Sequence, residues 1–411
     1  MRLQKQNLTD LAVFGGAPAF SDKLHVGRPN IGNRTRLTER IDSILSRRWL
    51  SNNGPYVQEF ENRISEFVGV THCVATCNGT VGLEIAIRAL GLAGEVIVPS
   101  FTFVATAHAL QWQNVTPVFC DVDRRTHNID PHQVQQLITP HTTGIIGVHL
   151  WGRPCEVEKL AEIAERHHLA LMFDAAHAFA CTHKSRMIGN FGDLEVFSFH
   201  ATKFLNTFEG GAIVTGNDAL AARARAMRDF GFDSNDDLTG VGTNGKMTEV
   251  CAAMGLTGLE SLDEFIAANY SNYTQYQTKL ASLRGIRFVS FEGAEKFNYQ
   301  YIVVEIDETV TGIRRDQMQE VLHAENILAR RYFHPGCHRI EPYRSRFPNP
   351  DSRLPVTEML ADRALVLPTG TAVRADEVSG ICEIMRLLVE HGAEIRERLD
   401  GHTSRAAAPL Q

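Results

Sequence analysis

Between residues 70 and 215 the chain alternates short apolar runs with longer stretches whose apolar residues recur every three or four positions. The runs are CVATC, EVIVPS, TPVFCDV, TGIIGVHL, LALMFDAA, EVFSFH and GGAIVT, while VGLEIAIRALGL and CEVEKLAEIAERHH carry the helical period. Short unbroken apolar runs between helices suit strands buried on both faces, so this region predicts βαβ units and a mainly parallel sheet. GGAIVT follows EVFSFH too closely for every connection to be a helical crossover, which predicts at least one antiparallel strand. A helical pattern over residues 247–283 leads into NYQYIVVEI, RRDQMQEVLHAEN and DRALVLPTG, a second and smaller α/β set. The expected division is an N-terminal segment 1–35, a large domain 36–260, a small C-terminal domain 261–400 and a frayed tail 401–411.

The 411 residues, 44% hydrophobic and 22% charged, suffice for one large core and a smaller one. A net charge of −7 repels phosphate backbones, so no nucleic-acid partner is expected. The first twenty residues lack a secretory pattern and no apolar run could cross a bilayer, which points to a cytoplasmic protein with no membrane partner. Eight scattered cysteines without a CxxC pair, and histidines without HExxH, read as reduced thiols and no metal site.

Four features of the large domain carry chemistry. Asn78-Gly79-Thr80-Val81 follows a strand and opens a helix, where free amides attract an anion and glycine admits close approach. A plain helix cap has the same look. Asp174 ends the run LALMF, at the carboxyl end of a strand where open sheets bind ligands. There it can pair with a protonated ring nitrogen or simply cap the next helix, and His177 lies one turn on. Lys203, in SFHATK, sits in an apolar setting that would leave its amine free to form a Schiff base; a solvated loop lysine is the bland alternative. Ser198 can donate to the same anion as Thr80, and Glu209-Gly210-Gly211 turns the chain into the next strand. Anion cradle, ring-nitrogen acid and amine nucleophile, in that order, describe a pyridoxal 5′-phosphate pocket. CNGTVG lacks the GxGxxG spacing of a nicotinamide site.

Over nearly its whole length the sequence resembles the DegT/DnrJ/EryC1/StrS aminotransferases. LSNNGPYVQEFE, VPSFTFVATA, DAAHA, FSFHATKFLNTFEGGAIVT, GTNGKMTEVCAAMGL, RRYFHPGCHRIEPY and LPVTEMLADRALVLPTG carry the likeness. The resemblance implies a fold-type I aminotransferase with a large mixed-sheet domain and a smaller α/β domain. It assigns Lys203 to covalent cofactor binding, Asp174 to the pyridine nitrogen and Phe103 to stacking on the ring. Gly79, Thr80, the Val81 amide and Ser198 fall to the phosphate, and His177 stands where many relatives place Gln against the ring. Asn244 would reach the cofactor phosphate of a neighbouring subunit, implying a homodimer with shared sites; Lys246 stands where relatives often carry Arg. Arg331, Tyr332 and His338 are expected at the nucleotide sugar. HATKFLNTFEGGA and RRYFHPGCHRIEPY resemble members that use L-glutamate to aminate C4 of dTDP-4-keto-6-deoxyglucose, giving dTDP-4-amino-4,6-dideoxyglucose. Amination at C3, a GDP- or UDP-linked ketosugar, and a non-catalytic regulatory homologue remain open at this point.

Overall fold

The computed structural model describes residues 3–291, 293, 295–346 and 354–406. The seven apolar runs form one sheet: β1 (His72–Thr76), β2 (Glu95–Pro99), β3 (Thr116–Cys120), β4 (Thr142–Val148), β5 (Ala170–Asp174), β6 (Leu194–Ser198) and β7 (Gly211–Thr215). The order across it is β1-β7-β6-β5-β4-β2-β3. β7 runs antiparallel to both β1 and β6, as the short connection requires, and the remaining pairs are parallel.

Helices α1 (Arg34–Arg47), α2 (Pro55–Val68), α3 (Gly79–Ala89), α4 (Val104–Trp112), α5 (Pro131–Leu137), α6 (Val157–His167), α7 (Asp218–Arg228) and α8 (Glu249–Leu259) surround this sheet. Successive strand residues point to opposite faces, and both faces are covered. Ile97, Ile145, Phe173 and Phe197 pack with Phe60 and Ile64 of α2, Leu160 and Ile163 of α6 and Leu256 of α8. Their neighbours Val96, Ile146, Met172 and Val196 pack on the other face with Leu83 and Ile87 of α3, Leu110 of α4 and Leu220 of α7. Both faces being apolar is why the strands read as unbroken runs instead of alternating ones.

α9 (Leu262–Leu280) joins two cores: Leu262 and Phe265 belong to the sheet's, and Tyr273, Tyr276 and Leu280 to a second. The second core holds an antiparallel sheet, β8 (Ile286–Phe288), β9 (Ile302–Ile306) and β10 (Ala364–Leu367), in that order. The N-terminal segment packs here too. Leu8, Leu11, Phe20 and Leu24 are buried in this core, and Leu24–His25 pairs with Ile327–Leu328. Buried Glu325 binds the segment by accepting from the Ala12 and Ala19 N–H groups at 2.6 and 2.7 Å. The final helix, Gly392–Ala406, runs into the stretch expected to fray from 401, and residues 407–411 lie outside the described ones. Among the described residues no helix is long and apolar enough to cross a membrane.

Candidate active site

The parallel strands end at a cleft of about 500 Å³. At one end lies the start of α3. The Asn78 side chain caps this helix, accepting from the Val81 N–H at 2.8 Å. That corrects the expectation for Val81: its amide is taken by the cap. The Gly79 and Thr80 amides, ahead of it, have no partner among the described residues and are the free donors of this helix start. Ser198, at the end of β6, stands against them so closely that a Cβ on Gly79 would lie 2.8 Å from the Ser198 Cβ. A side chain at position 79 would push the helix start off the strand, which is why only glycine serves there.

Asp174 ends β5, level with Val148 of β4 and Val196 of β6. Its Oδ2 accepts from Thr106 Oγ1 at 2.9 Å and its Oδ1 from the Ala176 N–H at 3.1 Å. Among the described residues no cation pairs with it within salt-bridge distance. Burial raises its pKa, opposed by those hydrogen bonds and by the charge of Lys203. Lys203 follows β6 in a loop closed on itself: Phe199 N–H bonds Gly210 O, Thr207 N–H bonds Phe199 O, and Lys203 N–H bonds His200 O. Buried Phe204 and Leu205 anchor the loop beside it. Burial pulls the Lys203 amine down to about 8, against the opposing pull of Asp174. Burial thus outweighs the pair's attraction at both groups, leaving an amine that is about half neutral near pH 8 and a carboxylate without a cation at salt-bridge distance.

Thr106 is a member of this site that the sequence reading missed, although it lies one turn beyond Phe103 on α4. Thr106→Val keeps the shape and removes a donor from a buried carboxylate. We expect a loss of about 1.5–3 kcal/mol in transition-state stabilisation, roughly 10- to 150-fold in kcat. Thr106→Ser should recover most of it, as measured by steady-state rates.

Phe103 caps α4 with its ring 57% exposed, on the cleft wall. His177 and Tyr301 also line it, with ring centroids 4.2 Å apart, Tyr332 and Phe333 continue this aromatic wall, and buried Trp151 stacks behind His177 and Phe333. Burial, and then the charge of Lys203, holds His177 well below the usual imidazole range, so it is neutral. Trp151 adopts φ 61, a left-handed conformation that costs a bulky residue roughly 1–3 kcal/mol and is held by its surroundings.

Two expected site residues, Arg331 and His338, do not reach the cleft. Arg331 turns outward to Asp316 at 3.0 Å, because the main chain of its neighbour Arg330 pairs with Val366 and directs consecutive side chains to opposite sides. Arg330 lines the cleft instead, its guanidinium 5.9 Å from the Tyr332 ring centre and without a carboxylate partner among the described residues. His338 is held between Ser100 Oγ at 2.6 Å and Glu358 at 3.4 Å. Asn244, expected at the cofactor of a neighbouring subunit, is exposed on this chain, its main chain bridged to Asp229. Lys246 pairs with Asp229 at 2.5 Å and lies over the Phe230 ring.

The chemistry of these donors is that of a pocket for a phosphorylated, cationic ring with an electrophilic carbon. Comparison with known proteins agrees. Residues 33–386 match the model of the DegT/DnrJ/EryC1/StrS aminotransferase family. The chain is 34% identical to a dTDP-4-amino-4,6-dideoxy-D-glucose transaminase of Escherichia coli over 89% of its length and 99% of the relative's. A GDP-perosamine synthase of Caulobacter vibrioides is 37% identical over 78% of this chain and 87% of its own. The solved structure of DesI in the presence of its TDP-sugar product superposes with a TM-score of 0.92 at 51% identity, covering 96% of this chain and 100% of that one. The chain belongs to the DegT/DnrJ/EryC1/StrS aminotransferase family.

Proposed function

We propose that this sugar aminotransferase moves an amino group from L-glutamate to C4 of dTDP-4-keto-6-deoxyglucose, giving dTDP-4-amino-4,6-dideoxyglucose and 2-oxoglutarate. The observation that carries the reading is Lys203, an amine drawn down to about 8 by burial, in one cleft with the buried, cation-free Asp174. The substrate rests on the E. coli relative's activity and on the DesI structure's TDP-sugar product.

The family's cofactor is pyridoxal 5′-phosphate, and the residues fit it. The unpartnered Gly79 and Thr80 amides, with Ser198, suit its phosphate. Asp174, ionised beside a ring cation, suits its pyridinium. Bound there, the cofactor supplies an aldehyde for amine exchange and a sink for electrons. Asp174 keeps the proton on the ring nitrogen. Lys203, once displaced by the donor's amine, takes the donor's α-proton as a base and returns it as an acid. Phe103 and the wall of His177, Tyr301, Tyr332 and Phe333 orient the reacting plane and exclude water.

Arg330 supplies the fork-shaped cation for the sugar nucleotide's diphosphate. Arg330→Gln is expected to raise KM for the sugar nucleotide about 10- to 100-fold. The glutamate half-reaction, followed by the cofactor's absorbance without sugar, should keep its rate. The working unit is a homodimer. Exposed Phe230, Phe232, Leu238 and Val241 flank Asn244 on a loop that a second copy would cover.

The test is NMR of the product after incubation with pyridoxal phosphate, L-glutamate and dTDP-4-keto-6-deoxyglucose. An equatorial C4 amine supports the proposal. Turnover only with a GDP-linked ketosugar, as the Caulobacter relative's name suggests, would replace the substrate and keep the reaction.

A further inference from the structure

Trp151 carries two N–H groups, and each ends on a histidine. Its indole Nε1–H donates to His127 Nδ1 at 3.1 Å, and its main-chain N–H donates to His177 Nδ1 at 3.3 Å. Both groups can only donate, so both Nδ1 atoms must present a bare lone pair. A neutral imidazole holds one proton, which in each ring therefore sits on Nε2. In His127 that proton meets Glu305 Oε1 at 2.8 Å. Arg287, 3.1 Å from the same nitrogen, is a donor only and serves the Glu305 carboxylate. Burial keeps both rings neutral. His177 Nε2 has no partner among the described residues, and its side chain lines the cleft.

We infer that Trp151 is a positioning residue: its indole N–H, bound to His127, anchors it, and its main-chain N–H sets the tautomer of His177, so that His177 offers a fixed Nε2–H donor to an anionic oxygen of the group bound in the cleft. The hydrogen bonds run outward from Trp151, on one side to His127, which donates on to Glu305 of β9, and on the other to His177, and each proton has one place. Stacking locks the indole: its ring lies 5.5 Å from Phe333 at 13° and 5.8 Å from His177 at 26°. The left-handed main chain at Trp151 lets the indole reach His127 while the amide meets His177. Only the identity of that oxygen, the phenolic oxygen of the cofactor ring, rests on the proposed function.

Neutron diffraction from deuterium-exchanged crystals of the holoenzyme reads the proton directly. Deuterium on Nε2 and none on Nδ1 of His127 and His177 is the expected result; deuterium on His177 Nδ1 overturns the inference. A second measurement follows the visible band of the bound cofactor against pH. His177→Leu, which loses the donor, should move its midpoint by about one unit. His177→Gln, which offers an amide N–H, should restore it. Trp151→Phe keeps the stack but loses the anchor on His127, so the main-chain N–H holds His177 less firmly, and the midpoint should shift in the same direction by less. A Trp151→Phe protein that melts lower yet titrates as wild type has lost only packing, and the inference fails. If no variant and not even the wild type forms a visible band, the cofactor reading fails, while the diffraction still decides the tautomer.

Discussion

Lys203→Ala protein is expected to lose turnover by at least about 10⁴-fold, because one substitution removes both the nucleophile that holds the cofactor and the base that moves the α-proton. Its visible cofactor band should vanish, while the fold survives: the loop around position 203 is closed by main-chain bonds and by buried Phe204 and Leu205, none of which needs the amine. Steady-state rates, an absorbance spectrum and a thermal melt read the three outcomes. Wild-type activity in this variant would remove Lys203 from the mechanism. The amine's pKa has its own signature. Only the neutral amine attacks an aldehyde, so cofactor capture by the apo-protein should rise about tenfold per unit below pH 8 and level off above it, as the amine loses its proton. A lysine of ordinary pKa would keep climbing well beyond that point.

Asp174→Asn is expected to bind cofactor and yet slow both half-reactions on the order of 10³-fold, about 4 kcal/mol of transition-state stabilisation. Asn has nearly the same shape and can still accept from Thr106, but it carries no charge to keep a ring nitrogen protonated. Stopped-flow absorbance with glutamate measures the loss, and a rate within a few-fold of wild type would assign the ring nitrogen another partner. Stability should move the other way. Burial raises the Asp174 pKa in the fold, so its ionised form weakens the apo-protein at pH values above the ordinary carboxylate range. Asn removes that cost, and the apo variant should melt no lower than wild type at pH 7. A site that is more stable without its charge holds that charge for chemistry.

The seven strands were legible in the sequence, because a strand covered on both faces must be apolar throughout, and the run that could not be parallel was legible from its short connection. Asp174 and Lys203 stood out for a related reason: a charge is rarely placed in an apolar setting, so each marked itself. Other features needed the folded chain. Val81 loses its amide to Asn78 only once the helix has a cap. Arg330 and Arg331 are equivalent as letters, and the pairing of Arg330 with Val366 decides which of them faces the cleft. Thr106 reaches Asp174 across 68 positions, and His127 reaches Glu305 across 178. The N-terminal segment shows no sign in its own pattern that it completes the second core. The local period of the chain was enough to mark the buried strands and helices of the large domain, since burial between two covered faces leaves such a period. Which groups of distant elements meet, and so which donor each acceptor receives, was decided only by the tertiary structure. Such pairs leave no local period, and their geometry exists only after the sheets have closed around them.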